Sequence, residues 1–180
     1  CALPISAVEA AMAALDTLDV KQLTMCKSMQ KPPPGVDNVF AAVMVLLAGV
    51  QKLQVGAAVP AEKSGKVRDK NRDWGTCKKI LLKDPKFLVE ELKMFKDIYD
   101  SGGVNAINFK EVRMYLAMED FTVEKIQTKN PAAAGLCNWV INIVIYYDIV
   151  VTVEPKREAL RQATEKLNAA TEKLNIINAE

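Results

Sequence analysis

The chain has 180 residues, half of them apolar and 26% charged, with a formal net charge of +2. That balance belongs to a folded domain with a full core plus an appendage, and the small net charge carries no general signal for a polyanion partner. Histidine, the commonest general base, is absent, and no G-x-x-x-x-G-K-[ST] run occurs, so no active site is expected within these residues.

The first predicted element is a helix over residues 4–30. Val8, Ala11, Leu15 and Leu18 recur at helical spacing on one face, and Pro4 is tolerated only near the start. Lys31-Pro32-Pro33-Pro34-Gly35 breaks it. Residues 36–49 form a second helix, apolar on most sides (Val36, Val39, Phe40, Val43, Met44, Leu46, Leu47), which belongs inside a core.

Residues 50–73 change character. They carry six basic groups, Lys52, Lys63, Lys66, Arg68, Lys70 and Arg72, against Glu62, Asp69 and Asp73, a local +3 that leaves −1 for the rest. Gln51-Lys52-Leu53-Gln54-Val55 alternates like a short strand, with Lys66-Val67-Arg68 as partner, which predicts a surface loop or a loose two-stranded flap.

Helices follow over Trp74–Leu82 and Pro85–Ile98, the second opened by an Asp84-Pro85 cap and closed by Ser101-Gly102-Gly103. Asn108–Met118 is a further short helix, and one starting at Thr122 stops at Asn130-Pro131. Residues 132–153 are dense in β-branched residues but too long for an ordinary strand, so a buried helix is expected. Asn138, Asn142 and Asp148 argue against the alternative of a membrane span.

From Pro155 the pattern is a heptad. Leu160, Leu167 and Leu174 stand seven apart, with Ala163, Ala170 and Ile177 three later, so the helix needs a partner for its seam. The alternative is a terminal helix packed on the surface.

Cysteines 1, 26, 77 and 137 are scattered without a C-x-x-C or any Cys/His metal spacing, which reads as buried thiols in a reducing compartment and no metal site. Asp97–Asn108 mimics a calcium loop, but Tyr99 and Asn108 replace two required ligands. No signal peptide is seen, and the chain begins mid-pattern and ends mid-heptad, as an excised piece would.

The order Leu3-Pro4-Ile5-Ser6-Ala7-Val8-Glu9, Pro32-Pro33 with Val36, Val39 and Val43, Trp74 with Lys78-Lys79, Lys83-Asp84-Pro85-Lys86-Phe87, Phe121 with Glu124 and Ile126, Leu136-Cys137-x-Trp139-Val140 and Val153-Glu154-Pro155 resembles the dynein heavy-chain stalk tip over nearly the whole chain. The resemblance implies an all-α fold, a compact bundle of about six helices at the tip of an antiparallel coiled coil. Residues 1–5 would end the first stalk helix, 6–154 would form the microtubule-binding domain with 50–73 as a basic flap, and 155–180 would be the second stalk helix. The flap resembles that of axonemal inner-arm dyneins, which places the protein in the cytoskeleton of a cilium or flagellum.

The function so implied is binding to the groove between α- and β-tubulin, with affinity switched by sliding of the stalk helices. By the same resemblance the fragment needs no cofactor, and ATP with Mg would act in the ring of the parent motor. Asp19 and Val20 stand where the family presents basic groups in the first helix, leaving Lys21 and Lys27. Lys83 matches a basic position of the family, and Thr128 falls where an Arg is expected, with Lys125 and Lys129 beside it. The insertion adds Lys63, Lys66, Arg68, Lys70 and Arg72 as tubulin contacts. Glu9, Glu124, Pro4 and Pro155 are the expected affinity-switch positions, and Leu160, Ala163, Leu167, Ala170, Leu174 and Ile177 the expected coiled-coil core.

Two other readings remain. A coiled-coil scaffold would pair between chains through its leucines and bind no tubulin, whereas a stalk tip is expected to be monomeric. Nucleic-acid binding would rest on the basic segment alone, where no aromatic residues interleave, so neither nucleic acid nor membrane is expected as a partner.

Overall fold

The computed structural model describes the backbone of residues 3–178 and the side chains of residues 7–171. Among these residues all regular structure is helical. Helix α1 (Leu3–Asp16) and α2 (Val20–Lys27) replace the single helix expected over 4–30. The chain breaks because Thr17 returns its hydroxyl to the Ala13 carbonyl (3.0 Å) while extended Asp19 accepts the Lys21 amide (2.8 Å), a side-chain cap that restarts the helix.

Gly35, at φ 93°, opens α3 (Val36–Leu47), which buries ten of its twelve side chains. A side chain at Gly35 would be strained by that φ, and its Cβ would stand 3.2 Å from Ile126 Cδ1. The helices α5 (Trp74–Leu81), α6 (Pro85–Asp100), α7 (Ala106–Leu116) and α8 (Val123–Gln127) are each opened by a side-chain cap, from Asp73, Asp84, Asn105 and Thr122. Between α3 and α5 lies α4 (Gln54–Ala58).

The two-stranded flap expected over 50–73 does not form; the segment holds α4 and a 3-10 turn at Asp69–Asn71. Three tertiary contacts decide this. The buried Glu91 carboxylate accepts the amides of Gln54 (2.7 Å) and Val55 (2.9 Å), which starts the helix. Gly56 lies so close to the end of α3 that a Cβ there would stand 2.5 Å from the Leu47 carbonyl oxygen. Leu53, Val55, Val59 and Val67 are all buried, so the segment is anchored rather than loose. Glu91→Ala is expected to lose about 1–3 kcal/mol, because it strips one buried and one half-buried amide of their acceptor; urea denaturation followed by circular dichroism measures it.

The core is built on α9 (Pro131–Thr152), opened by an Asn130 cap to the Ala133 amide at 2.8 Å. By length and composition this helix could cross a membrane, yet its first half is the centre of the bundle. Helix α1 packs along it, and Ala14 and Leu18 meet Gly135, so the two run antiparallel. Small buried residues Ala7, Ala11 and Ala14 bring the axes close. Trp139 stands edge-on to Phe95 (5.4 Å), which in turn meets Phe109 (6.2 Å), and Phe109 stacks on Tyr147 (4.0 Å). Arg113 pairs with Asp148, and Lys96 bonds Asp100 (2.7 Å), which also accepts the Tyr146 hydroxyl (2.7 Å). Helix α10 (Glu154–Asn178) then continues away from the bundle.

Cys26, Cys77 and Cys137 are buried free thiols. Burial pushes them from the ordinary 9.0 up to about 11 for Cys26 and about 12 for Cys77 and Cys137. The contribution of these thiols to folding stability is thus constant well below pH 9 and is lost as pH rises from there toward 12, since the unfolded thiols ionise first. At mild alkaline pH these three thiols are expected to resist alkylation until urea unfolds the chain, as residue-mapped mass spectrometry would read.

Candidate functional site

The end of the bundle far from α10 gathers cations. Because α1 is antiparallel to α9, the turn into α2 lies beside the start of α9, and about 33 Å of helix separates it from α10 at 1.5 Å per residue. Lys21 and Lys27 project from α2 and are exposed. The Lys27 ammonium reaches the Lys83 carbonyl (3.4 Å), so the end of α2 and the turn between α5 and α6 form one edge. Lys83 itself is exposed, as are Lys79 and Lys86 on either side of it. Lys79 and Lys86 were not singled out as contacts from sequence, although the Lys-Lys and Lys-Asp-Pro-Lys runs carried the signal. Lys78 differs: it donates to the Met29 carbonyl (2.7 Å) and covers the Trp74 ring, whose indole N–H reaches the same carbonyl (2.9 Å). Together these two bonds hold the entry to the proline-rich loop.

On α8, Lys125 lies between Glu119 and Asp120 at 3.7 Å from each, and Lys129 donates to the Pro34 carbonyl. Lys125 is thus held on the turn before α8, while Lys129, just past the end of that helix, braces the loop before α3. Glu124 and Glu9 are exposed, and neither enters an ion pair among the described residues.

The insertion divides into exposed and committed charges. Lys63 and Lys70 are exposed, Arg68 pairs with Glu62 (2.9 Å), and Lys66 lies 3.7 Å from Glu111. Arg72, expected as a tubulin contact, is a correction: it is 8% exposed and donates to the Val67 carbonyl (2.8 Å) and Glu111 (3.2 Å). Its guanidinium ties the insertion to α7 and cannot reach a partner surface.

At the other end, the heptad seam is unpaired among the described residues. Leu160 and Leu167 are 69% and 66% exposed, and Ala163 and Ala170 are exposed on the same helix. Arg157–Glu154, Arg161–Glu158 and Arg161–Glu165 pairs line its surface. The side chains of Leu174 and Ile177, like that of Pro4, lie outside the described residues. Pro4 and Pro155 each occupy the second position of their helix.

A helical cluster with a cationic end and a heptad helix leaving the other end has a counterpart among known families. The family model for the microtubule-binding stalk of dynein motors matches residues 2–180. This chain belongs to that family. The dynein stalk reading also accounts for its relatives. The flagellar outer-arm dynein alpha chain of Chlamydomonas reinhardtii is 41% identical over 160 residues, covering 89% of this chain and 3% of that protein. Dynein axonemal heavy chain 9 of Homo sapiens is 41% identical over 161 residues, and dynein heavy chain-like protein 2 of Plasmodium falciparum (isolate 3D7) is 38% identical over 172, with 89% and 92% of this chain covered and 3% of each relative. The chain thus spans about 3% of the length of these dynein heavy chains. Among solved structures, one titled the microtubule-binding domain of dynein-C matches with a TM-score of 0.60 and 30% identity, covering 89% of this chain and 97% of that one.

Proposed function

We propose that this chain is the tubulin-contacting tip of an axonemal dynein heavy chain, docking its far edge on the groove between α- and β-tubulin. The observation that carries the reading is the edge itself: Lys21 and Lys27 exposed on α2 and Lys83 exposed on the turn between α5 and α6, with the Lys27 ammonium bonded to the Lys83 carbonyl. Tubulin surfaces are acidic, so this edge attracts them through interactions that salt screens. Lys125 and Lys129 extend it across α8. Weak, quickly reversed ionic binding suits a stepping motor.

The heptad seam of α10 pairs with the other stalk helix, which leads into α1. Two registers of that pair shift α1 along the small-residue face of α9 and so change the basic edge. Glu9 and Glu124 act in one of these registers by attracting neighbouring cations. ATP hydrolysis lies in a ring elsewhere in the parent chain, within an axoneme.

Co-sedimentation with microtubules at low and moderate salt tests the reading, with size measured at several concentrations to detect any pairing between chains. Binding that weakens with salt is the expected result, and no pelleting at low salt overturns it. Replacing Lys63, Lys66 and Lys70 together by Gln leaves the anchored core of the insertion intact. It is expected to weaken binding by a few-fold and to flatten the salt dependence.

A further inference from the structure

The insertion makes a groove as well as a basic surface. Where α4 lies against the turn between α5 and α6, it leaves a concave space of about 420 Å³. Val55 and Ala58 of α4 form one wall, Ile80 and Leu81 of α5 and Phe87 of α6 the other, and Lys83 stands at the same opening. Gln54 and Asp84 complete it, and the Asp84 carboxylate is engaged with the Phe87 amide at 3.2 Å. Glu91 of α6 is buried on the amides of Gln54 and Val55. The exposed charges around the opening are one acid, Asp84, against Lys83, Lys27 bonded to the Lys83 carbonyl, and Lys79 and Lys86 next to Ile80 and Phe87 in the chain, an excess of cations.

An apolar slot with lysines at its mouth fits an extended acidic segment that carries one aromatic side chain. We propose that this groove takes such a segment from the microtubule, the acidic unstructured tail of a tubulin subunit. Its aromatic side chain would sit between Ala58 and Phe87, and its carboxylates would lie over Lys83 and its neighbours. The inference rests on the tubulin reading, and continuity supports it: Lys83 belongs both to the groove and to the basic edge. The rest of the lattice would bind the edge, and the tail would add a second, tethered contact that slows release.

The probe is a fluorescently labelled Glu-rich peptide with a single Tyr, titrated against the whole chain by anisotropy. Ala58→Trp fills the slot from an exposed position, and Lys83→Gln removes the charge. Ala58→Trp, and the peptide with Tyr replaced by Gly, are each expected to weaken binding at least about tenfold, the worth of one buried aromatic side chain, and Lys83→Gln to weaken it a few-fold in a salt-dependent way. Peptide binding indifferent to both Ala58→Trp and loss of the Tyr overturns the groove and leaves only diffuse charge attraction. Co-sedimentation with intact and tail-stripped microtubules separates the two levels. Wild type should prefer intact lattice, and Ala58→Trp should lose that preference while still binding stripped lattice. Equal binding of wild type to both lattices overturns the groove but not the tubulin reading. Failure on both lattices overturns the tubulin reading, with the peptide titration still deciding the groove.

Discussion

Trp139→Ala is expected to lose about 3–5 kcal/mol of folding stability, a large share of the roughly 5–15 kcal/mol that holds a domain together. Trp139 is 1% exposed and sits on α9, the helix on which α1, α3 and α8 all pack. Its ring meets Phe95 edge-on at 5.4 Å, and through Phe95 it supports Phe109 and the stack with Tyr147. Truncation leaves a void beside residues fixed on three helices, which cannot all close on it. Urea denaturation followed by circular dichroism, with Trp74 as an independent fluorescent reporter, measures the loss. A cost below about 1 kcal/mol would show that the aromatic cluster repacks freely and that α9 is not its organising element.

Reversing Lys27 and Lys83 together to Glu is expected to weaken microtubule binding by more than about tenfold at low salt, since like-charge contacts across an interface cost several kcal/mol. Both side chains are exposed and neither is in an ion pair among the described residues, so the fold is expected to tolerate the change. The effect should shrink as salt rises. Arg72→Gln provides the opposite result. It leaves Glu111 and the Val67 carbonyl without their buried partner and should lower stability by about 1–3 kcal/mol, while each folded molecule binds microtubules as before. Similar losses of affinity from both variants would mean that the insertion, rather than the far edge, governs attachment.

Much of the helical order was legible because it is written locally. Asp84-Pro85 and Asn130-Pro131 mark helix starts by chemistry confined to a few residues, and α3 and α9 are apolar on nearly every side. The break between α1 and α2 was also local, but Asp19 had been read as a missing basic contact rather than as a cap. The insertion could not be read this way. Its alternation places Leu53 and Val55 inward in a strand or at a helix start alike, and the choice is made by Glu91, an acid on another helix. Which cation of a basic segment turns inward is equally a tertiary matter: Arg72 is buried because Val67 and Glu111 meet there, while Lys70, two residues earlier, stays exposed. Lys21, Lys27 and Lys83 were identifiable as a group only through the resemblance, and the bond that joins two of them spans 56 residues of chain.

The junction of α9 and α10 has a mechanical consequence. Val153 keeps a helical backbone, its amide bonded to Ile149 and its carbonyl to the Arg157 amide, so hydrogen bonding passes Pro155 on both sides. Tension along α10 thus enters the helix that most of the others grip, and spreads sideways through packed side chains instead of peeling one element off the rim. On the proposed docking, the ionic contacts at the opposite end would take the same load directly and have little to share it with. Those bonds would open first, so that the domain lets go of its track still folded, ready to grip again.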